Sequence, residues 1–347
     1  MSWYLEHAQP INQAVESQAE AYQLSLTKPP GSLGQLESVA TRLAGCQGVV
    51  HPRLDDVYIS IFASDHGIAQ QGVSAFPQAV TTEMVKNFAA GGAAISVLAR
   101  QLNAKFEVVN VGTVFEVDEH PQIIDERIAA GTQDFSQQPA MSQTQLAQAL
   151  NVGYGAAKRA KSVGSQLFIG GEMGIANTTS ASAIAAAYLG LPAQDLVGPG
   201  TGLTLDKLPM KAKIIDESIA LHQVTEPLDI LQTMGGFEIA ALVGAYIGCA
   251  QQGIAVLVDG FISSAAALIA KALNPSITPW LFYSHESHEP GHKQILQALE
   301  VSPLLNIGMR LGEGSGAAVV VSLMQSAVAL HNEMATFAQA GVSEAES

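Results

Sequence analysis

The apolar and polar positions fall into units of a short apolar run, a glycine-containing turn and a longer helical stretch. Residues 57–63, 106–111 and 280–283 are rich in β-branched and aromatic residues and read as buried strands, as do 165–169 and 256–258. Residues 304–309 read as the last strand. Helical periodicity marks 11–24, 32–44, 81–88 and a further helix through Arg100, then 144–160, 180–189, 237–249, 261–273 and 316–330. Thr27-Lys28-Pro29-Pro30-Gly31-Ser32-Leu33-Gly34 separates the first two helices, and Ser32 followed by Gln35 resembles a capping box. Residues 114–142 are polar and read as an excursion outside the sheet. The tail, 341–347, is polar and acidic and reads as frayed.

This alternation predicts a parallel α/β sheet. The chain's 347 residues suffice for one large domain with an appendage, and 48% hydrophobic against 14% charged residues argues against disorder. A formal net charge of −15 without a basic stretch makes nucleic acid and anionic membranes poor partners. Residues 1–10 lack the features of a secretory signal, and no apolar helix reaches membrane-spanning length. Cys46 and Cys249 lie outside any Cys-x-x-Cys spacing and read as small buried hydrophobes in a reducing, cytoplasmic compartment.

Several expected strand ends carry an acid and a glycine just before a helix start. They are Gly171-Glu172-Met173-Gly174, Asp259-Gly260 and Gly312-Glu313-Gly314, with Gly235-Gly236-Phe237-Glu238 as a variant. Helix N-termini gathered along one sheet edge offer free N–H groups and partial positive charge, which suits a phosphate. Gly198-Pro199-Gly200-Thr201-Gly202 with Lys211 adds to that reading, although a simple turn would look the same. Phe76-Pro77-Gln78 offers an apolar wall and one amide for a flat ligand. Asp65 and His66 fit a metal site, an acid–base pair or a loop-fixing role. His288-Glu289-Pro290-Gly291-His292 spells His-Glu-x-x-His, but that zinc pattern needs a continuous helix and Pro290-Gly291 interrupts one. No metal is therefore assigned. The bland alternative is a polar loop that contacts substrate or another subunit.

Taken together, these stretches resemble the nicotinate-nucleotide–dimethylbenzimidazole phosphoribosyltransferase family, which builds the lower-ligand nucleotide of cobalamin. The likeness runs over nearly the whole chain through 27–34, 65–67 with 72–78, 171–179, 198–202 and 310–316. Asn110 departs from it, since many relatives would carry Asp there. The resemblance implies a doubly wound, mostly parallel sheet flanked by helices, with a small helical domain formed by both chain ends. The corresponding boundaries are 1–50 and 326–347 for the small domain and 51–325 for the α/β domain. It also implies a homodimer and no cofactor.

Within the site, the resemblance implies Glu313 as catalytic base and Glu172 as a second acid. The phosphate is expected near Gly174, Asn177, Thr178, Gly202 and Lys211. Gln78 is expected beside the aromatic acceptor, with Phe76, Leu311 and Gly312 as further substrate contacts. Asp259 and Gly260 complete the substrate-binding set. The implied substrates are nicotinate mononucleotide and 5,6-dimethylbenzimidazole. The alternatives are a non-catalytic binder of heteroaromatics and a metal-dependent phosphohydrolase using Asp65, His66 and the 285–292 histidines.

Overall fold

The computed structural model describes residues 2–200 and 202–343. Thr201 of the Gly-rich loop and residues 344–347 of the tail lie outside the described residues. After a helical pair, α1 (Gln13–Ser25) and α2 (Gln35–Gln47), the chain runs through β1 (Val57–Ser64), α3 (Ala79–Ala90), α4 (Ala94–Gln101) and β2 (Lys105–Gly112). Then come β3 (Ile123–Asp125), α5 (Gln143–Ser162), β4 (Leu167–Met173) and α6 (Asn177–Leu189). Three helices, α7 (Leu208–His222), α8 (Pro227–Met234) and α9 (Phe237–Gln252), lead to β5 (Ala255–Val258). The chain closes through α10 (Phe261–Leu273), β6 (Leu281–Tyr283), α11 (Pro290–Leu299) and the long α12 (Ser315–Glu333).

The strands pair in the order β3-β2-β1-β4-β5-β6, and every neighbouring pair is parallel. This is the doubly wound α/β arrangement expected from the sequence. The order reverses between β1 and β4, which opens a crevice at the carboxyl ends of those two strands. Alternate side chains feed two cores. Ile59, Ile61 and Ile169 pack with Val320 and Val321 of α12 on one face. Phe62 and Phe168 pack with Leu242 and Tyr246 of α9 on the other. Both faces are covered by helices, so the strand sequences are apolar throughout rather than alternating.

The chain ends meet. Thr27 N donates to Ala335 O at 3.0 Å. His331, near the end of α12, donates from Nε2 to Val50 O at 2.8 Å and accepts from Gln23 Nε2 on α1 at 2.8 Å.

Several expectations need correction. Residues 304–309 form no strand: only Leu305 bridges, in parallel, to His285 beyond β6, and much of the segment is exposed. Backbone bonds still tie it to the chain after β6, with Leu305 N donating to Ser284 O at 3.0 Å and Glu286 N to Leu305 O at 2.8 Å, but they do not extend into a ladder. The 114–142 excursion does contribute to the sheet, as β3 pairs with β2 through Val108–Ile123 to Asn110–Asp125. Its three residues are too short for a period to show. Asn110 secures this edge, donating to Asp125 Oδ1 at 2.8 Å and accepting from Thr113 N at 3.0 Å. The Ser32 capping box is not formed. Gly34 occupies the cap of α2, and Glu37 accepts from Leu33 N at 3.0 Å while pairing with Lys28 at 2.8 Å. Pro290 opens α11 rather than breaking a helix, because the first helical position needs no N–H donor.

Candidate active site

At the carboxyl edge of the sheet the strand ends open onto a cleft of about 700 Å³. One wall is the end of β4 and the start of α6: Glu172, Gly174, Asn177 and Thr178. Asp259 and Gly260, just past β5, and the turn Arg310 to Glu313 also line it, with Gly312 packed against Glu172. Phe76, Val80 and Met84 form an apolar side, and Gly202 lies at the rim beside Gly200. Every expected site residue except Gln78 and Lys211 lines this space. Gln78 instead donates to the His66 carbonyl at 3.0 Å. Lys211 is fully buried, donating from Nζ to Thr178 Oγ1 at 3.0 Å and to Gly198 O at 3.2 Å. It supports the cleft through Thr178.

Glu313 is held by an unusual backbone. Gly312, Glu313 and Gly314 have φ of 86°, 63° and 77°, three consecutive left-handed residues. A glutamate there is strained, and such strain persists only where packing imposes it. The packing is visible at Gly171 on β4, where an added Cβ would stand 2.4 Å from the Glu313 carbonyl oxygen. Below the turn, Asp259 accepts from Gly314 N at 3.1 Å and from Ala317 N at 2.8 Å, capping α12. The turn is thus clamped between two strand ends, and its carboxylate stands at the cleft surface with Oε2 buried and without a partner.

These surroundings set the charges. Burial pushes the Glu313 carboxyl up to about 7, the Asp259 charge adds to this, and the nearby Ile95 N–H opposes it. Glu172 lies well above the ordinary carboxyl range, through burial first and then the Glu238 and Asp259 charges. Its Oε2 accepts from Asn177 Nδ2. Two carboxyls in one cleft are therefore driven apart, one titrating near neutrality and the other favouring its proton. Burial also pulls Lys211 down to about 8, against the pull of Glu289.

Asp65 and His66 do not face the cleft. Asp65 accepts from Thr81 Oγ1 at 2.6 Å and from Val114 N at 2.8 Å, and Thr81 Oγ1 in turn receives Ile175 N at 3.1 Å. His66 lies between Glu238, at 2.7 Å, and Ser180, at 2.9 Å. Of the three roles open to this pair, the contacts are those of loop fixing, since they pin the β4–α6 turn from behind. His288 precedes α11 while His292 sits in its first turn, so the two share no helical face. His292 bonds Ser264 at 2.9 Å and Ser287 N at 2.7 Å, and burial pulls it down to about 3. Among the described residues, no three or more His, Cys, Asp or Glu are arranged to hold a metal ion.

The sequence did not single out Val80, Met84 or Arg310 as cleft residues, whereas His285, Ser287 and Glu289 belong to the polar loop it marked as a substrate or subunit contact. Phe76, Val80 and Met84 do recur at intervals of four, but such a stripe reads equally as core.

A family model described as Phosphoribosyltransferase matches residues 8–342. A nicotinate-nucleotide–dimethylbenzimidazole phosphoribosyltransferase of Pseudomonas putida is 54% identical over 345 residues, covering 99% of this chain and 98% of that one. The chain belongs to this family of phosphoribosyltransferases. A relative of the same name from Ectopseudomonas mendocina is 52% identical over 346 residues, covering 99% of both chains. The crystal structure of CobT from Thermus thermophilus superimposes with a TM-score of 0.92 at 41% identity, over 96% of this chain and 100% of that one. The family match thus spans the sheet, the cleft and both terminal helical segments.

Proposed function

We propose that this protein transfers the phosphoribosyl group of nicotinate mononucleotide to 5,6-dimethylbenzimidazole. The products are nicotinate and α-ribazole 5′-phosphate, the nucleotide of the cobalamin lower ligand. Full-length likeness to enzymes of that name supports the reading. The observation that carries it is Glu313, held by a strained turn at the cleft surface and shifted to about 7.

The bond from the ribosyl carbon to the pyridinium nitrogen breaks, its electron pair leaving with nicotinate. An oxocarbenium-like carbon results, and nearby carboxylates stabilise its charge. One azole nitrogen attacks from the opposite face, turning the β-nucleotide into an α-riboside. Glu313 takes the proton from the other azole nitrogen and passes it to water. Glu172 acts as the second acid, keeping its proton and holding the Asn177 amide at the site. The azole packs on Phe76, Val80 and Met84, with Leu311 and Gly312 across from them. Gln78 supports this side through the His66 carbonyl. The phosphate lies at the start of α6, by Gly174, Asn177, Thr178 and Gly202, with Lys211 behind Thr178. Asp259 and Gly260 complete the sugar side. The scheme needs neither cofactor nor metal.

Incubation with both substrates should release nicotinate and give an α-anomer by NMR. A protein that binds both yet releases no nicotinate is a carrier, and activity lost on chelation would indicate metal chemistry. The same reading makes the two chain ends a small helical domain, places the enzyme in the cytoplasm and makes it a homodimer, so sedimentation should give twice the chain mass. Among the described residues no helix is long and apolar enough to cross a membrane.

A further inference from the structure

The geometry points to Glu289 as the acceptor of the nucleotide's ribose hydroxyls, an assignment that rests on the transferase reading above. Glu289 occupies the N-cap position of α11, yet its side chain makes no capping bond. It lines the cleft instead. The residue is 5% exposed, and neither carboxylate oxygen has a hydrogen-bond partner. The Gly200 N–H approaches the group outside hydrogen-bonding geometry. A buried carboxylate with both oxygens unsatisfied costs stability unless something else supplies the donors.

The other carboxylates of the cleft are committed. Asp259 caps α12 with both oxygens. Glu172 holds Asn177. Glu313 has the role of base. Glu289 is thus the one with two free acceptors; burial raises its pKa, and its Lys211 and Arg310 neighbours pull the other way, toward the charged form.

The ligand group must bring two donors. A phosphate brings only acceptors and the same sign of charge, and so does the nicotinate carboxylate. The azole has a single N–H, which goes to Glu313. The cis-diol of the ribose has two adjacent O–H groups at a spacing that suits the two oxygens of one carboxylate. Position agrees. Glu289 Oε2 packs so close to Gly198 that an added Cβ there would stand 2.1 Å away, and the Gly198 carbonyl accepts from Lys211. Glu289 therefore sits next to the phosphate end of the cleft, where the sugar must pass on its way to Glu313.

The test compares nicotinate mononucleotide with its 2′-deoxy and 3′-deoxy analogues in the wild type, in Glu289→Gln and in Glu289→Asp. Wild type should prefer the ribonucleotide by about ten- to a hundredfold in kcat/KM, as expected for hydrogen bonds to a charged group. In Glu289→Gln that preference should fall to within about threefold, and Glu289→Asp should be intermediate. A residue that merely shaped the loop would lower all three substrates alike and leave the ratio unchanged. An unchanged ratio in the Gln variant overturns the assignment, as does a wild type that uses deoxy and ribo substrates equally well; either leaves the transferase reading standing. No nicotinate released from any nucleotide would overturn both.

Discussion

At the scale of single residues, Glu313 joins three properties: a left-handed backbone, a free buried oxygen and a carboxyl shifted from 4.5 to about 7. These properties have opposite consequences for activity and stability. A base works only when deprotonated, so kcat should rise with pH and level off above about 7. Stability runs the other way, because the folded protein holds this proton more tightly than the unfolded chain. The resulting stabilisation is complete below 4.5 and is lost as pH rises through about 7. Glu313→Gln, neutral throughout, should lower kcat by about a hundred- to a thousandfold with little change in nucleotide affinity. At pH 8 it should be more stable than wild type by about 1–2 kcal/mol in urea unfolding, with the gap closing in acid. Turnover equal to wild type would remove Glu313 from the mechanism. Lys211 gives a second pH signature. Its ammonium, depressed to about 8, should loosen the nucleotide as pH passes that value. Lys211→Met should raise the nucleotide KM about tenfold at pH 7 and flatten this dependence, since the positive charge behind Thr178 has gone. An unchanged KM in that variant would break the phosphate assignment.

At the scale of elements, the clamp around Glu313 depends on the close approach of β4 to the turn before α12. Gly171→Ala places a methyl 2.4 Å from the Glu313 carbonyl oxygen, and a backbone atom cannot rotate away. The variant should lose about 1–3 kcal/mol in urea unfolding and a larger share of kcat than of nucleotide affinity. Full activity would mean that the turn tolerates displacement. The same neighbourhood shows what the sequence revealed. The strand–acid–glycine–helix grammar placed Glu172, Asp259 and Glu313 at one sheet edge, because parallel strands followed by helices leave their carboxyl ends on the same side. It did not reveal that Glu172 lies within β4 or that 304–309 only flanks β6, since a one-residue bridge and a true ladder have the same apolar composition. Residues 205–234, a short 3₁₀ turn followed by α7 and α8, carried no strong period of their own. Lys211 looked like a direct phosphate ligand from its distance to the glycine loop. Only the fold shows it turned behind Thr178.

At the scale of the whole molecule, charge governs the approach of substrate. The chain carries a formal −15, and the acids lining the cleft, Glu172, Asp259, Glu289 and Glu313, outnumber its arginine, Arg310, even with Glu172 holding its proton. Nicotinate mononucleotide is itself net negative, with a phosphate and a carboxylate outweighing one pyridinium. Lys211 attracts it only at short range, through the wall. The long-range field should therefore slow nucleotide capture, and dissolved salt should relieve that repulsion. The Debye length falls from about 30 Å at 0.01 M to about 8 Å at 0.15 M ionic strength, which removes most of the distant contribution while sparing the buried contacts. Over that range kcat/KM for the nucleotide should rise about two- to fivefold. The same parameter for the neutral dimethylbenzimidazole should hardly move. A steady fall of nucleotide kcat/KM with salt would mean instead that Arg310 and Lys211 dominate capture, and that the acidic surface is too distant or too well screened to matter.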